Sequence, residues 1–190
     1  MIPDGVLSAV PISADFVEPN RNRMRPLVDY EMGGAGLQDP TGGLQYQLWT
    51  LESDGTDVWI SAEHVARVHL FSRPGISRVT LGFDLNMRVH VAFVQNGSSW
   101  LWWYDSQAGA MVFTEYPAFS YPTLGTDEKR LTELANSDLI FAYIRADNLC
   151  MRVQRDRFQT EYVLHSGDTL ELVAIGMNTE NRFQFECVRA

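Results

Sequence analysis

From residue 44 onward, short apolar runs alternate with polar positions and break at turn residues, the period-two pattern of strands with one or both faces buried. Residues 46–51 alternate and meet Ser53-Asp54-Gly55; residues 57–60 resume; residues 65–71 alternate again, and Val79-Thr80-Leu81 runs into Gly82. The run 90–94 turns at Asn96-Gly97, a dipeptide suited to the left-handed backbone of a tight hairpin, and returns as Trp100-Leu101-Trp102-Trp103-Tyr104. Further runs at 110–114, 139–144, 149–153, 160–164, 169–175 and 182–188 follow, with a turn at Asp147-Asn148. Only residues 127–135 read as a helix, with Thr126 as its cap and Leu131 and Leu134 as its apolar edge, or else as a single turn inside a loop. The pattern predicts an all-β chain.

The runs repeat. Val91-Ala92-Phe93-Val94-Gln95-Asn96-Gly97 has the layout of Phe141-Ala142-Tyr143-Ile144-Arg145-Ala146-Asp147, and each unit continues to a third strand, residues 112–116 matching 158–162. A fainter copy starts at Tyr46. Spacings of about 42 to 50 residues suit one propeller blade or solenoid unit. We expect repeated antiparallel β-meanders over residues 45–190, about three and a half of them. They are arranged as propeller-like blades or, alternatively, as a β-sandwich. Propellers need roughly four to eight blades to close, so either the last hairpin completes a small closed body, or the open edges are covered by another subunit, or the strands pack as a sandwich.

Residues 1–44 differ. They hold 11 of the chain's 22 prolines and glycines, among them Pro19, Pro26, Gly33, Gly34 and Gly36. Proline removes a backbone donor and glycine raises the entropy cost of ordering, so this stretch is expected to form no regular structure by itself. Apolar residues such as Val10, Ile12, Phe16 and Val17 fit an extended arm that docks on its own body or on a neighbour, the alternative being a floppy tail. Gly33-Gly34-Ala35-Gly36 follows no strand in the pattern and opens no helix, which removes the context of a phosphate loop.

Composition narrows the partners. A net charge of −9 opposes binding to nucleic acid or to an anionic membrane, which needs clustered Lys and Arg. No apolar run nears the roughly 18 residues of a membrane span, and Met1-Ile2-Pro3-Asp4-Gly5 lacks the layout of a signal peptide; we expect synthesis in a cytoplasm. Cys150 and Cys187 are too few for a disulfide framework and are expected as buried free thiols.

The chemistry-bearing residues form no catalytic constellation, and we expect no enzyme, metal or cofactor. His64 and His69 fall on opposite faces of one strand. The carboxylates Asp105 and Glu115, or Asp147 and Glu161, could flank a hairpin, but nothing singles out a glycosidase pair. Two sets remain as partner or glycan contacts. Trp100, Trp102 and Tyr104 share one strand face, so they form either a stacking platform or part of a sheet core or interface. Arg145, Arg152 and Arg155 cluster with acidic residues, as a rim for a partner carboxylate or as a surface laced with weak ion pairs.

A resemblance runs through Gly82-Phe83-Asp84-Leu85-Asn86-Met87-Arg88, Trp102-Trp103-Tyr104-Asp105, Asp127-Glu128-Lys129-Arg130, Ser137-Asp138-Leu139-Ile140, Gln154-Arg155-Asp156-Arg157-Phe158 and Ile175-Gly176-Met177-Asn178. This stretch resembles proteins encoded among the virion and tail genes of tailed bacteriophages. The resemblance implies a structural component at the tail or head-tail junction, assembled in the host cytoplasm, resident in the virion, and present in several copies. Its expected partners are copies of itself and other virion proteins. The alternative is a carbohydrate- or receptor-binding module of a tail tip or fibre, with a host surface glycan as partner.

Overall fold

A computed structural model describes residues 29–38, 44–62, 65–84, 88–126, 138–177 and 183–189. The chain is all-β, with no α-helix among the described residues and one 3-10 turn, Gln154–Asp156. The first meander comprises β1 (Asp29–Gln38), β2 (Leu44–Ser53), β3 (Asp57–Ala62) and β4 (Val65–Ser72); the second comprises β5 (Ile76–Phe83), β6 (Val89–Gln95), β7 (Ser98–Asp105) and β8 (Ala110–Tyr116). The third comprises β9 (Ser120–Thr126), β10 (Leu139–Arg145), β11 (Asn148–Val153) and β12 (Tyr162–Ser166), and a terminal hairpin pairs β13 (Leu170–Met177) with β14 (Phe183–Arg189). Each four-stranded sheet uses four consecutive strands, every pair antiparallel.

Turn chemistry fixes the registers. Gln95 pairs with Ser98 across Asn96 (φ 50°) and Gly97 (φ 83°), a two-residue left-handed turn whose twist matches the flanking strands. The equivalent turn in the third meander uses Ala146 (φ 48°) and Asp147 (φ 61°), one residue earlier than the sequence suggests. The Asn148 side-chain amide stabilises it by donating to the carbonyls of Arg145 and Ala146.

The meanders stack face to face in a sandwich-like arrangement, and their first strands make contact in order: β1 with β5, β5 with β9, and β9 with β13. Three cores fill the gaps. Leu51, Val58, Ile60 and Phe71 meet Leu81, Val91, Phe93 and Trp102 between the first and second sheets. Ala92 and Leu101, on the opposite face of the second sheet, meet Leu124, Phe141, Tyr143 and Cys150 of the third. Ala142, Ile144 and Leu149 then meet Leu170 and Leu172 of the hairpin. The central strands β6 and β10 are therefore buried on both faces, which explains why their sequences read as continuous apolar runs. Each fully buried large side chain contributes roughly 1.5–3 kcal/mol, so cohesion lies between sheets more than within any one of them.

Three elements depart from the sequence expectation. Residues 29–38, inside the Pro/Gly-rich segment, form β1, with Asp29 to Gln38 in unbroken register against Ser53 to Leu44; β2 supplies the partner that the glycines could not provide alone. The rest of the segment, and the helix expected at 127–135, lie outside the described residues. Strand β9 was hidden by Pro122 and by the absence of alternation, since Pro122, Thr123 and Leu124 are all buried. Finally, residues 158–161 do not form the third strand of a repeat: Arg157 (φ 60°) caps the 3-10 turn, Phe158 (φ 59°) follows it and buries its ring in the core, and β12 begins at Tyr162.

Candidate functional site

The three aromatics of β7 share a face, as alternation requires, but that face is the core. Trp102 is 3% exposed with its ring 5.0 Å from that of Phe71. Trp100 is half-buried, stacked on Phe93, with the Arg73 guanidinium 4.1 Å over its ring. Only Tyr104, 48% exposed at the strand end, faces solvent. The strand thus offers no three-ring platform.

The arginines are engaged by internal acids. Arg145 and Arg152 both reach Glu161, which also accepts from the Tyr143 hydroxyl at 2.5 Å. Arg152 donates to that same hydroxyl at 2.9 Å and to the carbonyls of Phe158 and Gln159. Burial, then the Glu161 contact, raises the Tyr143 pKa above the usual phenol range. Arg155 pairs with the buried carboxylate of Asp138 at 2.6 Å. These side chains pin the 153–161 segment to the third sheet.

Two polar clusters have no signature in the sequence. Asp57, His69 and Ser72 meet on β3 and β4, with the Ser72 hydroxyl donating to Asp57 and lying 3.0 Å from His69 Nε2. Asp57 approaches that same nitrogen at 3.2 Å. A nucleophile relay needs acid and hydroxyl on opposite ring nitrogens, so this triangle activates nothing. At the junction of the second and third sheets, buried His90 stacks on Trp103, donates from Nδ1 to the Arg88 carbonyl at 3.1 Å, and accepts from Gln154 Nε2 at 3.2 Å. Both contacts suit the neutral ring, and burial lowers its pKa. No group of three or more metal-binding side chains occurs among the described residues. Burial raises the Cys150 thiol pKa and pushes that of Cys187 up to about 11, so both are weak nucleophiles.

The candidate site is the outer side of the terminal hairpin. Thr80-Leu81-Gly82-Phe83-Asp84 and Thr123-Leu124-Gly125-Thr126-Asp127 are near copies, and Ile175-Gly176-Met177-Asn178 is a looser third. In the first two, the apolar residue points back to the preceding sheet and the glycine points on to the next; Ile175 likewise packs back against the third sheet. A Cβ at Gly82 would lie 2.6 Å from Leu139 Cδ1 and 3.0 Å from Leu124 Cβ; one at Gly125 would lie 2.8 Å from Ile175 Cγ2. At Gly176, no described atom lies within 4 Å. Register places Ala174, Glu186 and the exposed Val188 on the face opposite Leu172 and Cys187. The hairpin has two strands where each other sheet has four, and among the described residues β14 pairs only with β13. The glycine repeat was visible in the sequence; its meaning required knowing what each glycine faces.

No protein-family profile matches the chain, and no curated protein or solved structure gives a match.

Proposed function

We propose that this protein is a structural subunit of a tailed-phage particle, at the tail or head-tail junction, joining copies of itself and other virion proteins through its open terminal sheet. The phage class rests on the sequence resemblance alone. One observation supports the assembly role: the glycine position covered by a neighbouring sheet at Gly82 and Gly125 has, at Gly176, no cover among the described residues. Stacked repeats bury their faces against neighbours, and uncapped ends favour further association. The aromatic face of β7 and the Arg145, Arg152 and Arg155 cluster serve internal cohesion, so the geometry offers no comparable support for glycan binding.

The test is the mass of the full chain in solution over a wide concentration range. A discrete oligomer that dissociates on dilution is the expected outcome. A monomer at every concentration refutes the assembly role.

A further inference from the structure

We propose that Gln154 is a pH-operated latch between the second and third sheets, closed while His90 is neutral and opened when His90 takes up a proton. The latch is independent of the assembly role.

Three segments distant in the chain build it. Gln154 opens the 3-10 turn that follows β11 of the third sheet, and its side chain crosses to the corner where β5 gives way to β6. There its amide nitrogen lies 3.2 Å from His90 Nε2 and 3.5 Å from Asp84 Oδ2. An amide nitrogen carries two hydrogens, so this one group serves the imidazole lone pair and the carboxylate together. His90 and Asp84 are both buried, which limits the water that could replace it. The ring is held on its other side, where Nδ1 donates to the Arg88 carbonyl at 3.1 Å and the ring face stacks on Trp103. Asp84 is held by the Arg88 backbone N–H, which donates to Oδ1 at 2.9 Å.

Protonation breaks this arrangement whichever way the amide turns. An imidazolium donates from both nitrogens, so Nε2–H faces the amide N–H, donor against donor. Turning the amide over offers Oε1 to the ring but sets that oxygen against the Asp84 carboxylate, acceptor against acceptor. Direct pairing of Asp84 with the imidazolium satisfies both charges, and it displaces Gln154, which touches both. Among the described residues, the charged groups acting on the ring are Asp84, which favours the proton, and Arg88, which opposes it. Strand β7 presents Trp103, and β9 and β10 approach the corner with Leu124 and Leu139. On the turn itself, Arg155 is paired with Asp138, and Asp156 accepts from the backbone N–H groups of Gln159 and Thr160. The Asp138–Arg155 pair and the buried Phe158 ring keep the segment docked, so opening frees Gln154 and its turn without parting the sheets. Burial holds the ring's pKa below the ordinary 6.5; the latch is therefore closed above that value and opens as the pH falls from it toward the folded pKa.

Two exchange measurements on the full chain, read by mass spectrometry between about pH 7.5 and 5, test the latch. Exchange of the ring C2 hydrogen gives the His90 midpoint, and amide exchange of residues 153–161, corrected for its intrinsic pH dependence, gives the opening. In the wild type, the 153–161 amides are expected to accelerate about tenfold for each pH unit by which the His90 midpoint lies below the ordinary value, because one free energy closes the latch and excludes the proton. The amides of β6 and β10 stay protected. Gln154→Leu is expected to exchange quickly at both ends of the range, with no acceleration on acidification. Gln154→Glu, which sets an acceptor where the amide donated, is expected to raise the His90 midpoint by about 1–3 pH units. Flat exchange of 153–161 through the His90 titration overturns the proposal, as does an acceleration that survives in Gln154→Leu. An equal acceleration of β6 and β10 also overturns it, since protonation then unfolds the whole stack. Should a variant fail to fold, the two wild-type curves decide.

Discussion

Alanine substitution at the three equivalent glycines provides an internal comparison in which chemistry is constant and only the neighbour changes. At Gly82 the new Cβ meets Leu139 Cδ1 at 2.6 Å and Leu124 Cβ at 3.0 Å, against an optimal carbon–carbon separation of about 3.5–4.0 Å. Leu139 is fully buried, and the Leu124 Cβ is fixed to its own backbone, so sheets rather than rotamers must move. Overpacking of this kind costs about 1–3 kcal/mol. Loss of glycine's freedom in the unfolded chain returns about 0.4–1 kcal/mol, leaving Gly82→Ala destabilised by about 1–2 kcal/mol. For a chain of this size that lowers Tm by about 2–8 °C. Gly125→Ala meets Ile175 Cγ2 at 2.8 Å and Ile175 Cβ at 3.2 Å; a β-branched side chain is stiff at this point, so this variant is destabilised to a similar extent. Gly176→Ala meets no described atom within 4 Å and is expected to keep only the unfolded-state gain of about 0.4–1 kcal/mol. The measurement is thermal unfolding of the three variants in dilute solution, below the assembly concentration. Equal melting of all three, or greatest damage at Gly176, would refute the stacked-sheet account of the glycine repeat.

Arg78 on β5 donates to Thr123 Oγ1 on β9 at 3.3 Å and to the Leu172 carbonyl on β13 at 2.5 Å, tying three successive sheets together. Arg78→Met keeps the stem and loses these charge-assisted bonds, each worth about 1.5–3 kcal/mol; urea titration is expected to show a lower midpoint, and an unchanged one would mean the bridge is energetically idle. His90 supplies a pH dependence. Its folded pKa lies below the ordinary 6.5, so the unfolded chain takes up the proton first as pH falls. The stability gained from burying a neutral ring is complete above about 6.5 and declines as pH drops below that value toward the folded pKa. His90→Gln is expected to flatten this decline in urea titrations between about pH 7.5 and 5; identical slopes in variant and wild type would exclude His90 as its source.

Much of the candidate site was legible only in part. The alternation of residues 100–104 correctly puts Trp100, Trp102 and Tyr104 on one strand face, because strand geometry is local. Whether that face meets water or another sheet is decided by Phe71 and Arg73, some thirty positions earlier in the chain, and no local pattern encodes them. The arginine cluster likewise shows its charges but not its partners: Glu161 and Asp138 come from separate segments brought together by the turn that Phe158 closes.

The sequence by itself determined the strands and their tight turns, because a two-residue pleat and the left-handed preference of Asn96-Gly97 are properties of a few neighbouring residues. It also determined that the units repeat. Tertiary structure alone decided the rest: that glycine-rich β1 becomes a strand once β2 offers a full hydrogen-bonding partner, and that Pro122 lies in a buried strand. It also decided that Gly82 and Gly125 sit beneath neighbouring sheets. The division follows from range. Backbone conformation is chosen within a few residues, whereas burial is chosen by whichever surface, distant in sequence, removes the most apolar area from water.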